Sequence, residues 1–280
     1  MINENEIVIV VVLYNSLPKN YSDVLMKYNV HLIIIDNTPN QDLLIDGDRI
    51  DYIPLGENMG IAYALNIGCK KALEFNAKWA LTLDQDSDIP LNMIQEYMNF
   101  LTKRPERIGL ICPLINVYHG ENKQPSDTFE EIELAITSGS LINLEAYQEI
   151  GGFKNELFID EVDFDYSLNL KAHGYHLFQL NYVLMQHQVG NTVEYRLFGR
   201  HLFYVLHHNY LRHYYMQRNS LYVSEIYKNT FPNVKKNTLQ SILPLLKIIF
   251  FEKDKIKKLL YRYKGYRDFK NNKMGKYING

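Results

Sequence analysis

The 280-residue chain is 46% hydrophobic and 22% charged with a formal net charge of -2, enough for one substantial core or a core with an appendage. That balance, with no nucleic-acid-binding motif, excludes nucleic acid as a partner. Its two cysteines, Cys69 and Cys112, stand in unrelated contexts, which excludes a disulfide framework or a cysteine metal site and fits a reducing compartment.

Elements follow in chain order. The β-branched run Ile7 to Leu13 predicts a strand buried on both faces. Asn15 to Pro18 breaks it, and a helical stretch follows to Tyr28. His31 to Ile35 predicts a second buried strand ending in the turn cluster Asp36-Asn37-Thr38-Pro39, and Asp51 to Pro54 a short third. Ile61, Ala64, Leu65, Gly68 and Ala72 recur at helical spacing, so Gly60 to Phe75 is predicted helical. Trp79 to Leu83 forms a fourth strand and runs into Asp84-Gln85-Asp86-Ser87. Such alternation builds a doubly wound, mainly parallel α/β sheet whose ligand sits at the carboxyl ends of the strands.

The second half is less regular. Gly109 to Pro113 reads as a strand, His119 to Glu133 as a polar loop, and Ala135 to Leu144 as a strand containing Ser138-Gly139-Ser140. Glu145 to Ile150 reads as a helical turn closed by Gly151-Gly152, and Phe158 to Ala172 as an acid-bearing helix ended by Gly174.

Asp84-Gln85-Asp86 carries the sharpest chemistry. Two carboxylates one residue apart at a strand end can share a divalent ion, which in turn holds a diphosphate. A solvated acidic turn is the plain alternative. A haloacid-dehalogenase phosphohydrolase fits less well: Ser87 falls one place too early, and strands precede a motif that opens that domain.

The order Val10-Val11-Val12-Leu13-Tyr14-Asn15, Ile35-Asp36-Asn37, Asn58-Met59-Gly60 through Asn66-Ile67-Gly68, and Asp84-Gln85-Asp86-Ser87 resembles family 2 glycosyltransferases. It is closest to bacterial rhamnosyltransferases that build O-antigens, capsules and rhamnose polysaccharides. The likeness continues through Thr137-Ser138-Gly139-Ser140, Gly151-Gly152-Phe153 and Phe158-Ile159-Asp160-Glu161-Val162-Asp163, and extends to His187 and Tyr214-Tyr215-Met216-Gln217-Arg218-Asn219. It implies a type-A glycosyltransferase fold, Mg2+ or Mn2+, dTDP-L-rhamnose as nucleotide diphosphate sugar donor, and a lipid-linked saccharide acceptor. A UDP-hexose is the alternative donor, and a non-catalytic nucleotide-sugar-binding scaffold the remote one.

The resemblance also implies roles. Leu13, Tyr14, Asn15, Asp36, Asn58, Gly60, Asn66, Asp84, Gln85, Asp86, Gly139 and Ser140 would surround the donor, and Asp84, Asp86 and His187 the metal. Asp36 would accept from the imide N–H of the base, or else cap a turn. Asn58 and Gly60 precede a helix, where backbone N–H groups are free, although plain capping explains them too. Inverting transfer needs a carboxylate to deprotonate the acceptor hydroxyl. The rhamnosyltransferase pattern F-I-D-x-V-D places that base at Asp160, with Glu161 second and Asp163 supporting. Arg218 would meet phosphate, or else pack.

Charge divides the chain. Residues 228–276 carry 14 Lys and Arg against three acids, and the remainder 16 against 29. Residues 1–227 are therefore expected to be the catalytic domain and 228–280 a basic, helical C-terminal extension. Ile242, Leu245, Ile249, Ile256, Leu260 and Tyr263 form one stripe, of the kind that lies on an anionic membrane surface, packs internally, or meets a second subunit in a homodimer. Residues 1–6 carry no basic n-region, and no apolar run approaches the roughly 20 residues a spanning helix needs. The expectation is a cytoplasmic protein, peripheral at the inner face of the cell membrane.

Overall fold

The structure, a computed structural model, describes residues 2–45, 47–104, 107–117, 123–187, 193–197, 200–205, 207–232 and 248–278. It divides into two compact units, Met1–Asn155 with Val162–Gln188, and Glu156–Glu161 with Val189–Gly280. The expected boundary at 227/228 is not where the units part: the acids Asp160 and Glu161 fold with the C-terminal half.

The first unit is built on an eight-stranded sheet. Its strands and helices are β1 (Ile7–Leu13), α1 (Ser22–Lys27), β2 (His31–Asp36), β3 (Ile50–Pro54), α2 (Ile61–Glu74), β4 (Trp79–Asp84), α3 (Met93–Thr102), β5 (Ile108–Val117), β6 (Phe129–Glu131), β7 (Ser140–Asn143), α4 (Leu144–Glu149), α5 (Val162–Ala172) and β8 (His176–His187). The order is β3-β2-β1-β4-β7-β5-β8-β6. The pairs β1/β2, β1/β4, β2/β3 and β5/β8 are parallel, while β7 runs antiparallel to β4 and β5, and β6 to β8. All seven residues of β1 are buried, as its unbroken β-branched run requires for the middle of a sheet covered on both faces.

Three expectations shift. Ala135 to Gly139 is turn, and the strand begins only at Ser140. The helix foreseen from Phe158 begins at Val162, because Phe158, Asp160 and Glu161 all hold left-handed backbone, at φ 65°, 64° and 64°. The polar loop to Glu133 contains the short edge strand β6, while residues 118–122 lie outside the described ones. Helix α3 and strand β8 had no sequence expectation.

In the second unit β9 (Val193–Leu197) and β10 (Arg200–Val205) form an antiparallel hairpin. Helix α6 (Tyr210–Tyr227) packs along α7 (Lys255–Lys270). The two approach closely because Gly265 has no side chain: a Cβ there would lie 2.4 Å from the Tyr214 carbonyl oxygen. Of the sequence stripe, Ile242 and Leu245 fall outside the described residues. Ile249, Ile256, Leu260 and Tyr263 are exposed, so internal packing does not account for them. No helix among the described residues is long and apolar enough to cross a membrane.

Candidate active site

In the first unit the candidate donor residues gather at the carboxyl ends of three adjacent parallel strands. Register pairs Leu13 with Asp36 and Val12 with Asp84, so β1, β2 and β4 end level. Leu13 is buried, and the chain then leaves the sheet with Tyr14 44% exposed and Asn15 left-handed at φ 53°. Asparagine tolerates that conformation better than most residues.

Hydrogen bonds tie the strand-end loops together. Gln85 Oε1 accepts from the Tyr14 backbone N–H (2.7 Å) and the Ser16 hydroxyl (2.9 Å), so Gln85 braces the loop after β1. The Thr38 hydroxyl accepts from the Asn15 N–H at 2.7 Å. Asn37 Oδ1 accepts from the Met59 N–H, and its amide donates to Asn58 Oδ1, which also caps the Gly60 N–H. Gly60, at φ 90°, then opens α2, where unpaired N–H groups are concentrated.

Asp36 is fully buried. Its Oδ1 accepts from the Thr38 N–H (2.9 Å), and its Oδ2 from the Tyr52 hydroxyl (2.7 Å) and the Gln41 amide (3.0 Å). The turn-cap use is thus the one observed. Burial, then the bond to Asp36, pushes the Tyr52 phenol up to about 12, so it stays a donor.

Asp84 is partly exposed and Asp86 exposed, at the end of β4. Ser138 Oγ accepts from the Asp84 backbone N–H (3.3 Å) and pairs with the Ser87 hydroxyl. The Lys19 ammonium donates to the Asp86 carbonyl (2.7 Å) and to Asp88 (2.5 Å). These contacts hold the turn through backbone and neighbouring groups. Gly139, at φ 81°, lets the chain pass where a Cβ would meet Met185 Sδ at 2.8 Å and Pro113 at 2.9 Å. Its N–H donates to the Thr82 carbonyl, and its carbonyl accepts from Tyr97.

Two expected donor residues turn inward instead. Asn66 spends its whole amide on the Gly151-Gly152-Phe153 turn: Oδ1 accepts from the Phe153 N–H and the Tyr147 hydroxyl, and Nδ2 donates to the Phe153 carbonyl and Asn155. Ser140 is fully buried and donates to the Ile136 carbonyl at 2.5 Å. The backbone of His187 ends β8, but its side chain lies outside the described ones. No cluster of three or more His, Cys, Asp or Glu able to hold a metal occurs among the described residues.

The acids divide between the units. Asp163, on α5 of the first unit, accepts from the Thr137 hydroxyl at 3.1 Å. Asp160 and Glu161 belong to the second. Asp160 Oδ1 accepts from Arg212 Nε at 3.0 Å, while Oδ2 is buried without a partner. Burial raises the Asp160 pKa above the usual carboxylate value, and the Arg212 charge partly offsets this.

Helix α6 holds this acid loop by its backbone. The Asn219 amide donates to the carbonyls of Leu157, Ile159 and Asp160, at 2.8 to 3.0 Å. Arg218, 1% exposed, donates to the carbonyls of Glu156, Leu157 and Gly275. That geometry replaces the phosphate contact expected of Arg218. Phe158 stacks on Tyr215 with centroids 5.1 Å apart, and the Gly275 N–H donates to the Glu156 carbonyl at 2.7 Å. Sequence reasoning missed Arg212, which lies 52 residues from Asp160 with no local signature.

No family model matches the sequence. The dTDP-rhamnosyl transferase RfbF of Shigella flexneri is 26% identical over 262 residues, 86% of this chain and 84% of its own. Among solved structures, GalNAc-T7 with UDP, GalNAc and Mn2+ has a TM-score of 0.59 at 15% identity over 95% of this chain, which spans only 56% of that one. Residues 1–349 of S. aureus TarS give 0.58 at 13% identity, over 94% of this chain and 79% of TarS. The same region in complex with UDP-GlcNAc gives 0.56, over 94% and 80%. Sheet order and the solved structures converge on one conclusion: this chain has the type-A glycosyltransferase fold, and its sequence is similar to that of a dTDP-rhamnosyl transferase.

Proposed function

We propose that the chain transfers L-rhamnose from dTDP-L-rhamnose to a lipid-linked saccharide, with inversion at the anomeric carbon. The observation that carries this reading is the level set of strand ends bearing Leu13, Asp36 and Asp84, in a chain 26% identical to a dTDP-rhamnosyl transferase. Asp36 is fully buried and its Oδ2 already accepts from Tyr52 and Gln41, so a base of the donor would meet it at Oδ1, which accepts only from the Thr38 N–H, once neighbouring side chains move aside.

Mg2+ or Mn2+ suits Asp84 and Asp86, which offer hard oxygen donors at an accessible turn. Two carboxylates leave coordination positions for diphosphate oxygens and water. Bound there, the ion would neutralise charge on the departing nucleoside diphosphate.

Asp160 is the general base of this proposal. Its free Oδ2 is an acceptor without a donor, and its raised pKa brings it nearer the range in which a base works best. Asp160→Asn should lower turnover by about two orders of magnitude or more, the scale of general-base catalysis, with donor affinity nearly unchanged. Asparagine also suits the left-handed backbone, so the variant should fold. If Glu161→Gln carries the loss and Asp160→Asn does not, the base is Glu161. A retained anomer in the product, read by NMR, would remove the single-base mechanism.

A further inference from the structure

Helix α7 is built inside out. Its buried residues are Lys258, Arg262, Gly265 and Asp268, spaced four, three and three apart along one face. Each polar member of that face has a partner within the second unit. Lys258 donates to Glu252 at 2.5 Å, Arg262 to Gln217 at 2.6 Å, and Asp268 accepts from the Tyr214 hydroxyl at 3.0 Å. The opposite face carries Ile256 at 85% exposure, Leu260 at 49% and Tyr263 at 62%. Just upstream, Ile249, Phe250 and Phe251 are exposed as well. A helix docked on its own protein normally does the reverse, burying its apolar stripe and presenting charge to water.

The rim of the exposed stripe says what covers it. Arg267 and Lys270 lie on the same side of the helix, Lys257 and Lys264 flank it, and Lys253 and Lys255 stand at its start. The acids nearby do not compensate: Glu252 and Asp268 are buried and committed inward, which leaves only Asp254 exposed between residues 248 and 278. A second copy docked symmetrically would bring these cations against themselves. An anionic bilayer takes them at its headgroups while Ile256, Leu260 and Tyr263 enter the acyl boundary, with tyrosine at its preferred depth.

We propose that the exposed face of α7, with Ile249 to Phe251, is a docking surface for an anionic lipid bilayer. The inference goes beyond the transferase reading and does not depend on it. Truncation is the wrong test, because Gly275 supports the acid loop through Glu156 and Arg218. The intact chain should instead be floated with vesicles of phosphatidylglycerol and phosphatidylcholine, or of phosphatidylcholine alone, at low and high salt. It should bind the anionic vesicles at low salt, bind phosphatidylcholine weakly, and lose binding as salt screens the lysines. Ile256→Gln with Leu260→Gln should weaken vesicle binding by about tenfold or more, since two branched side chains no longer leave water. Lys253→Gln with Lys270→Gln should weaken it and flatten the salt dependence. Both pairs are at the surface, so circular dichroism and donor hydrolysis should match the parent. Two results would overturn the proposal: indifference of the intact chain to anionic vesicles at low salt, or a dimer in solution that the Ile256 and Leu260 substitutions dissociate.

Discussion

Asp160 sits at φ 64° with one carboxylate oxygen paired to Arg212 and the other buried and unpartnered. A strained backbone and an unsatisfied buried oxygen both cost stability, and functional sites are where such costs persist. The raised pKa states the same point electrostatically. A carboxyl whose folded pKa exceeds its unfolded one contributes stability at low pH and loses it as pH rises through the folded value. At neutral pH the buried charge is therefore a liability to the fold and, on this account, an asset to the reaction. The base must be ionised to act, so the acid limb of kcat/KM should lie above the ordinary carboxylate range. Arg212 opposes the upward shift; Arg212→Gln should therefore move that limb to higher pH. A pH–rate profile measures it, and a limb that stays put or moves down would separate Asp160 from the rate-limiting proton transfer.

At the scale of elements, α6 acts as a brace for the acid loop. Asn219, fully buried, holds three carbonyls of residues 157–160, and Arg218 shares that of Leu157 and adds those of Glu156 and Gly275. Asn219→Ala leaves buried carbonyls unsatisfied, at about 1–3 kcal/mol of stability. If the brace positions the base, kcat should fall more than that loss of fold explains, while KM for the donor stays near the parent value; equal change in both would make Asn219 merely structural. None of this was legible locally. Phe158 and Glu161 are not residues that favour left-handed backbone, so a helix from Phe158 is the natural expectation. What bends them is an amide some sixty residues downstream. The stripe on α7 was legible as a pattern, but its direction was not. Periodicity reports that apolar residues share a face, whereas Lys258 with Glu252 and Asp268 with Tyr214 decide which face turns inward.

Across the whole molecule, local pattern carried the first ninety residues and weakened afterwards. The buried runs of β1, β2 and β4 each follow from continuous apolar sequence, and their level ends follow from parallel register. Asp36 and Asp84 were placed at strand ends for that reason. Helix α3 and strand β8 had no sequence expectation, and the strand expected over Ala135 to Leu144 shortens to β7 because Thr137 to Gly139 turn inside that apolar stretch. Asn66 illustrates the remaining gap: a motif identifies a position but does not say whether its side chain meets ligand or core, and here it meets the core. The same limit applies to the division of the chain, since charge separates 228–280 while folding joins Glu156–Glu161 to the C-terminal half.

The strand-end carboxylates Asp84 and Asp86 are proposed to serve transfer from a deoxythymidine diphosphate sugar through a divalent ion. Release of dTDP from dTDP-L-rhamnose, followed with Mg2+ or Mn2+, with EDTA, and with UDP-hexoses in parallel, tests it most directly. The account predicts metal-dependent release from dTDP-L-rhamnose, abolished by EDTA, weakened in Asp86→Asn and slower with any UDP-hexose. Full activity in chelator, or turnover of a UDP-hexose with none of dTDP-L-rhamnose, would contradict it.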